Sequence, residues 1–283
     1  MARLFSYSLA FDREAKVYDE GFNALASTQA LRARIWRELR AIFPPGSLVL
    51  DIGCGTGQDA GALAEHGVEV VAIDVSPAMI ERAKAKHDGK PASPVFGVCD
   101  VRDAADHLPR LLDQGGRHAR TIDGIVSNFG ALNCLASLEP ITRLADQYVR
   151  PGGVLVLVLI NRWYLRELAR FELRRLRPNG SPVRCGGHEI PLFYHPPRAL
   201  RWPGYSLTRV MALASFSRSD VQTRWPLNRL GDHYLAVLRK DGSRRPFHRL
   251  TTASGVPRPR TEPASTRRTH SAIRRRSAAS WVT

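Results

Sequence analysis

The sequence predicts a three-layer α/β sandwich built on a mainly parallel sheet, and three features predict it. Short apolar runs alternate with longer segments of helical period, as in strands joined by crossover helices. The first strong run, Leu48-Val49-Leu50-Asp51-Ile52, leads directly into Gly53-Cys54-Gly55-Thr56-Gly57. Polar residues, namely Asp51, Asp74, Asp100 and Asn128, stand at the ends of four successive runs. In open parallel sheets, ligands bind at the carboxyl ends of the strands.

In chain order, residues 1–46 read as N-terminal cap or lid helices. Over Leu25 to Phe43, Leu31, Ile35, Leu39 and Ile42 make one apolar stripe, and Pro44-Pro45-Gly46 stops the helix. The first strand then ends in the glycine turn, whose missing Cβ atoms let backbone approach a ligand. Gln58 to His66 is a short helix closed by Gly67. Val68 to Ile73 is the second strand, with Asp74 at its tip. Ser76-Pro77 supplies an N-cap and an N1 proline for the following helix, which Met79 begins to populate. Pro94 to Val98 is the third strand and Asp123 to Gly130 the fourth with its exit loop. Leu138 to Val149 is a helix, and Val154 to Ile160 is a strand apolar on both faces. Arg162 to Arg177 reads as a helix with an arginine ladder, at Arg162, Arg166, Arg170 and Arg174. Residues 178–203 are the least regular before the tail. Tyr205 to Phe216 and His233 to Leu238 are the last strands.

Charge divides the chain. Of 42 basic and 26 acidic residues, twelve and two lie at or beyond Arg239, so the first 238 residues carry only +6 of the +16. The segment 240–283 is basic and poor in apolar residues; it reads as a disordered tail that attracts polyanions non-specifically. No apolar run approaches a membrane span, and the first residues lack a signal-peptide pattern, so a cytoplasmic location is expected. Cys54, Cys99, Cys134 and Cys185 form no C-x-x-C pair and read as thiols; no metal-ligand cluster is evident.

The glycine spacing selects the ligand class. A dinucleotide fingerprint, G-x-G-x-x-G, would need its third small residue at Gln58. Here the third glycine is Gly57 and an acid precedes the first. Asp51-Ile52-Gly53-Cys54-Gly55-Thr56-Gly57 resembles motif I, D-x-G-x-G-x-G, of the class I S-adenosylmethionine (SAM) dependent methyltransferases. Phe11-Asp12-Arg13-Glu14-Ala15-Lys16-Val17-Tyr18-Asp19 resembles the F-D-x-x-A-x-x-Y-D lid of many small-molecule members, and Pro151-Gly152-Gly153 is a further likeness. The resemblance implies a Rossmann-like, seven-stranded sheet whose antiparallel last strand lies between the fifth and sixth, within a domain over 47–239 that carries a substrate-recognition insertion at 161–204.

It also implies site roles. Asp51 helps to orient the methionine amino group; Gly53, Cys54, Gly55 and Gly57 pass beneath the cofactor. Asp74 accepts the ribose hydroxyls, although an acid there also suits a helix N-terminus. Val75 and Met79 flank the cofactor, Met79 on the adenine side or simply in the core. Asp100 and Val101 read the adenine edge, unless Asp100 caps the next helix. Ser127-Asn128-Phe129-Gly130 replaces the D/N-P-P-Y/F of base-amine methyltransferases, which argues against that chemistry. Asn128, Phe129 and Asn133 are candidates for touching the methionine or the acceptor, or they satisfy backbone groups. His188, His195, Tyr194 and Tyr18 are candidate bases. The expected activity is transfer of a methyl group from SAM to a small-molecule acceptor, acidic or apolar. The alternatives are RNA or another polyanion as acceptor, held by the arginine ladder and tail, and a non-catalytic SAM-binding protein.

Overall fold

Strand β1 (Leu48–Ile52) is buried along its whole length, and its side chains alternate between two cores. Leu48, Leu50 and Ile52 enter one apolar cluster and Val49 the other. The same period of two runs through β2 (Glu69–Asp74), where Val71 and Ile73 oppose Val70 and Ala72, and through β5 (Val149–Ile160). A strand apolar on both faces must be covered on both. Helices α2 (Ala26–Ile42), α3 (Gln58–Glu65) and α4 (Pro77–His87) supply Leu31, Ile35, Leu63 and Ile80 to one cluster. Helices α5 (Ala104–Gln114) and α6 (Glu139–Tyr148) supply Leu108, Leu112, Ile141 and Leu144 to the other. These are the three layers that the alternation predicted.

The computed structural model describes residues 2–114, 116, 121–161, 179–213 and 233–242, all inside one unit, Met1–Arg245. With β3 (Val95–Val98), β4 (Ile122–Ser127), β8 (Tyr205–Leu213) and β9 (His233–Lys240), the sheet runs β3-β2-β1-β4-β5-β9-β8. β1 to β5 are parallel; β9 is antiparallel to both β5 and β8. The seven-stranded order and the place of the antiparallel strand are those the resemblance implied.

Local chemistry ends the elements where expected. Gly67 (φ +85°) closes α3, and the Ser76 hydroxyl accepts from the Met79 N–H at 3.1 Å at the head of α4. Three departures are informative. The N-terminal lid is a helix, α1 (Ala2–Ala15), followed by one π-helical turn, Asp19–Asn23. β5 starts at Val149 rather than Val154, because the Arg150-Pro151-Gly152-Gly153 turn is absorbed as an irregularity opposite Ile122–Gly124. The stretch read as irregular contains a hairpin, β6 (Ser181–Cys185) and β7 (His188–Leu192), that turns at Gly186-Gly187, both at positive φ. Its strands carry prolines at 182 and 191, which obscured the strand pattern. Lys240, expected to open the basic tail, instead ends β9. The arginine ladder and the rest of the tail from residue 243 lie outside the described residues, as do residues 214–216, where β8 was expected to continue. No described helix is long and apolar enough to cross a membrane.

Candidate functional site

The glycine turn is built to bring backbone close to a ligand. Gly53 (φ +72°) packs so tightly that a Cβ there would lie 2.3 Å from the Ala131 Cβ. Gly57 (φ +76°) is the N-cap of α3, and a Cβ there would meet Phe96 at 2.9 Å. Between them, a Cβ on Gly55 (φ +53°) would meet only the Tyr18 ring, at an ordinary contact distance of 3.8 Å. Gly53 and Cys54 N–H groups donate to the Ile73 carbonyl at 2.8 and 3.1 Å, which fastens the turn to the end of β2.

The turn floors a cavity of about 540 Å³ at the carboxyl ends of the strands. Gly53, Cys54, Gly55, Asp74, Val75, Met79, Asp100, Val101 and Asn128 line it, as do Tyr18 and Phe129. Asp74 Oδ2 accepts from the Gly55 N–H and Oδ1 from the Ser76 N–H, both at 2.9 Å. Burial raises its pKa, and the backbone donors pull it part of the way back. A carboxylate has about four lone-pair sites, so Asp74 keeps acceptor capacity toward the cavity.

Asp51 and Gly57 stand just behind this lining. Asp51 is 1% exposed and its Oδ2 has no hydrogen-bond partner. Burial pushes its pKa well up, the charges of Asp59 and Asp74 add to this, and Arg32 opposes it. Asp100 is taken up by Arg102, with Nε to Oδ1 at 2.8 Å, Nη2 to Oδ2 at 2.5 Å, and the Arg102 N–H to Oδ1 at 2.9 Å. These bonds outweigh burial and leave its pKa below the ordinary value.

Four candidates are not brought to the cavity, one of them Tyr194, whose backbone N–H donates to Asn179 Oδ1 at 2.6 Å. His195 is buried; its ring Nε2 lies 2.9 Å from the Leu135 carbonyl, and its own carbonyl accepts from the Tyr234 hydroxyl. It ties the loop after β4 to β9, and burial lowers its pKa. His188 opens β7 opposite Cys185, outside the cavity lining. Asn133 donates to the Phe193 carbonyl at 2.6 Å and accepts from the Ile160 N–H at 2.9 Å, so it serves backbone groups. Of the candidate bases in the lining, Tyr18 remains, and burial pushes its phenol far up.

The sequence reading missed a buried ion pair. Arg32 Nη1 meets Asp59 Oδ1 at 3.0 Å, with both side chains under a tenth exposed. Trp36 Nε1 donates to the same oxygen at 2.7 Å, and Asn128 Nδ2 to Oδ2 at 2.9 Å. Arg32 also covers Phe129 at 4.6 Å, a residue at φ +47°. Arg32 and Asp59 both line the cavity. The signal was available: Thr28, Arg32, Ile35 and Leu39 recur at helical spacing, so a cation stands inside the buried stripe of α2.

The two acids of the lid motif were missed as well. Asp12 Oδ1 accepts from the Ser76 hydroxyl at 2.6 Å and the Ala78 N–H at 3.1 Å. Asp19 accepts from Thr56 at 2.7 Å in the glycine turn, from Asn23 at 2.6 Å and from Lys86 at 2.9 Å. Burial raises the pKa of Asp19, but those three donors more than offset it. The N-terminal segment is thus latched to α4 and to the turn by one acid each.

Comparison with known proteins agrees with this architecture. Residues 50–155 match a family described as a methyltransferase domain. The chain is 31% identical over 157 residues to a tRNA 5-carboxymethoxyuridine methyltransferase of Escherichia coli K12, covering 53% of this chain and 56% of that protein. It is 27% identical over 168 residues to a ubiquinone biosynthesis O-methyltransferase of Xanthomonas campestris, covering 56% and 61%. The chain therefore spans little more than half the length of these curated relatives. A crystal structure of magnesium protoporphyrin IX methyltransferase from Synechocystis with bound S-adenosylhomocysteine (SAH) superposes with a TM-score of 0.51 at 19% identity, over 85% of this chain and 98% of that one.

Proposed function

We propose that this protein transfers a methyl group from SAM to a small-molecule acceptor, a reading supported by the match of residues 50–155 to a methyltransferase domain. The observation that carries the reading is Asp74 at the tip of β2. It is anchored by two backbone N–H groups, faces the cavity and keeps acceptor capacity for the two ribose hydroxyls.

The other residues fit the same ligand. Gly55, which lines the cavity without a side chain, lets the cofactor lie against the backbone, and the orphaned Oδ2 of Asp51 can accept from an ammonium group or a bridging water. Arg32 is already paired with Asp59, so it shapes this wall without adding net charge to it. Val101 and Met79 offer a backbone donor and an apolar surface to a base, with Asp100 held beside them by Arg102. When bound, the sulfonium of SAM supplies a methyl group already activated for in-line displacement. What remains for the chain is to hold the acceptor near-collinear with that bond and to exclude water, and proximity of this kind supplies much of the rate. The lid, Tyr18 and Phe22 close over the turn to do so.

Calorimetric titration with SAH tests the cofactor assignment. Asp74→Ala is expected to weaken binding by roughly 10- to 100-fold, the worth of charge-assisted hydrogen bonds, with melting temperature as the control for folding. Unchanged affinity in a folded variant would overturn it. A second reading, transfer to tRNA or another polyanion, draws on the basic tail and on the relative that acts on tRNA.

A further inference from the structure

We propose that His87, the last residue of α4, is a positioning residue for the cofactor: its imidazole holds the far end of the glycine turn in the conformation that receives SAM. The proposal rests on the cofactor reading above and adds a residue that stands outside the cavity lining.

A turn with glycines at 53, 55 and 57, all at positive φ, has much backbone freedom to lose. A ligand that must order such a turn binds more weakly than one that finds it ready. The near end is fixed by backbone donors, from Gly53 and Cys54 to the Ile73 carbonyl and from Gly55 to Asp74. The far end is held from α4. Lys86 Nζ donates to Thr56 Oγ1 at 3.1 Å, and His87 Nε2 lies 3.1 Å from the Gly57 carbonyl. Two consecutive residues at the end of one helix thus hold two consecutive residues of the turn. The head of the same helix adjoins the ribose acid, through the Ser76 N–H on Asp74. One helix therefore sets the spacing between Asp74 and the far end of the turn.

The two contacts differ in kind. Thr56 is shared with the N-terminal segment, through Asp19 and Asn23. The Gly57 carbonyl is served from beneath, by the Gly61 N–H at 2.9 Å and by the His87 ring. A carbonyl only accepts, so Nε2 carries the proton. The ring has little room to turn away. It is 4% exposed, a Cβ on Gly61 would lie 2.1 Å from its Cε1, and Phe96 lies against it at 5.6 Å between centroids. Phe96 is also the ring that a Cβ on Gly57 would meet. Phe96 thus supports the turn by shape and His87 by a directed hydrogen bond. The Gly57 N–H closes the turn on the Cys54 carbonyl at 3.0 Å, so a fixed Gly57 fixes the backbone around Gly55, which lines the cavity.

The experiment titrates the full-length protein and three variants with SAH by calorimetry, with melting temperature as the folding control. A Gln amide reaches the place of Nε2, an Asn amide only that of Nδ1, and Leu keeps apolar bulk without a donor. His87→Gln is expected to bind SAH within about twofold of the wild type, and His87→Asn and His87→Leu about fivefold more weakly, the worth of one hydrogen bond. Equal affinities for the Gln and Leu variants would overturn the proposal, because packing alone would then account for the residue. Nitrogen NMR of the histidine-labelled wild type supplies a test that needs no variant to fold. The expected His87 signal is an Nε2–H protected from solvent exchange, and an Nδ1–H tautomer would overturn the proposal while leaving the cofactor reading intact. A wild type that does not bind SAH would overturn the cofactor reading, and this proposal with it.

Discussion

At Asp51 the fold encloses a carboxyl whose Oδ2 has no partner, and the consequence is a pH-dependent cost. Burial, then the charges of Asp59 and Asp74, lift its pKa well above the ordinary 3.8. Between those two values the folded chain holds a proton that the unfolded chain has released, so stability falls as pH rises through that window and levels off above it. Asp51→Asn removes this slope. The variant should melt with the wild type near the acid end of the window and above it at neutral pH, by roughly 1–3 kcal/mol, the cost of an unsatisfied buried polar group, while binding SAH more weakly. Scanning fluorimetry across the pH range checks this; a gap that does not widen with pH would contradict it. Asp51 and Asp74 were legible in the sequence because strand ends and glycine spacing fix where their side chains stand. Asp59 was not, since its partners Arg32, Trp36 and Asn128 come from other elements. His195 misled because the pKa of a free imidazole says nothing about where the fold will bury it.

Side chains fasten the N-terminal segment to the elements beside the glycine turn. Asp12 joins α1 to the head of α4, and Asp19 joins the π-helical turn to Thr56 and Lys86. Both side chains of the Asp19–Lys86 pair are about a quarter exposed, so salt screens it. Asp19→Ala should weaken SAH binding by up to about fivefold at low salt, in line with a partly exposed pair. The deficit should shrink as salt rises. Calorimetry at two ionic strengths decides; a deficit independent of salt would place its origin in the Thr56 and Asn23 hydrogen bonds instead. The helices and parallel strands could be read because period and caps are local signals. The hairpin could not, since Pro182 and Pro191 mask its alternation and its burial depends on α1, where the Tyr7 hydroxyl donates to the Pro191 carbonyl.

For the whole molecule, the acceptor question turns on charge. The part of the chain from Arg239 onward carries +10 of the +16. Removing residues 246–283 should leave SAH affinity and small-molecule transfer unchanged if the cavity alone selects the acceptor. A loss of transfer confined to nucleic-acid substrates would favour the polyanion reading, and labelling before and after truncation separates them. The order of the sheet has a further consequence during synthesis. β9 is made last, yet it fills the place between β5 and β8. Until it emerges, the apolar strand Val154–Ile160 is the open edge of a sheet whose other four parallel strands are already made. β9 ends about 80 residues after β5, an interval of roughly 4–16 s at ribosomal rates. During that interval the nascent chain presents a template for strand pairing with other chains, so the ribosome-bound intermediate, more than the finished protein, is the form in need of a chaperone.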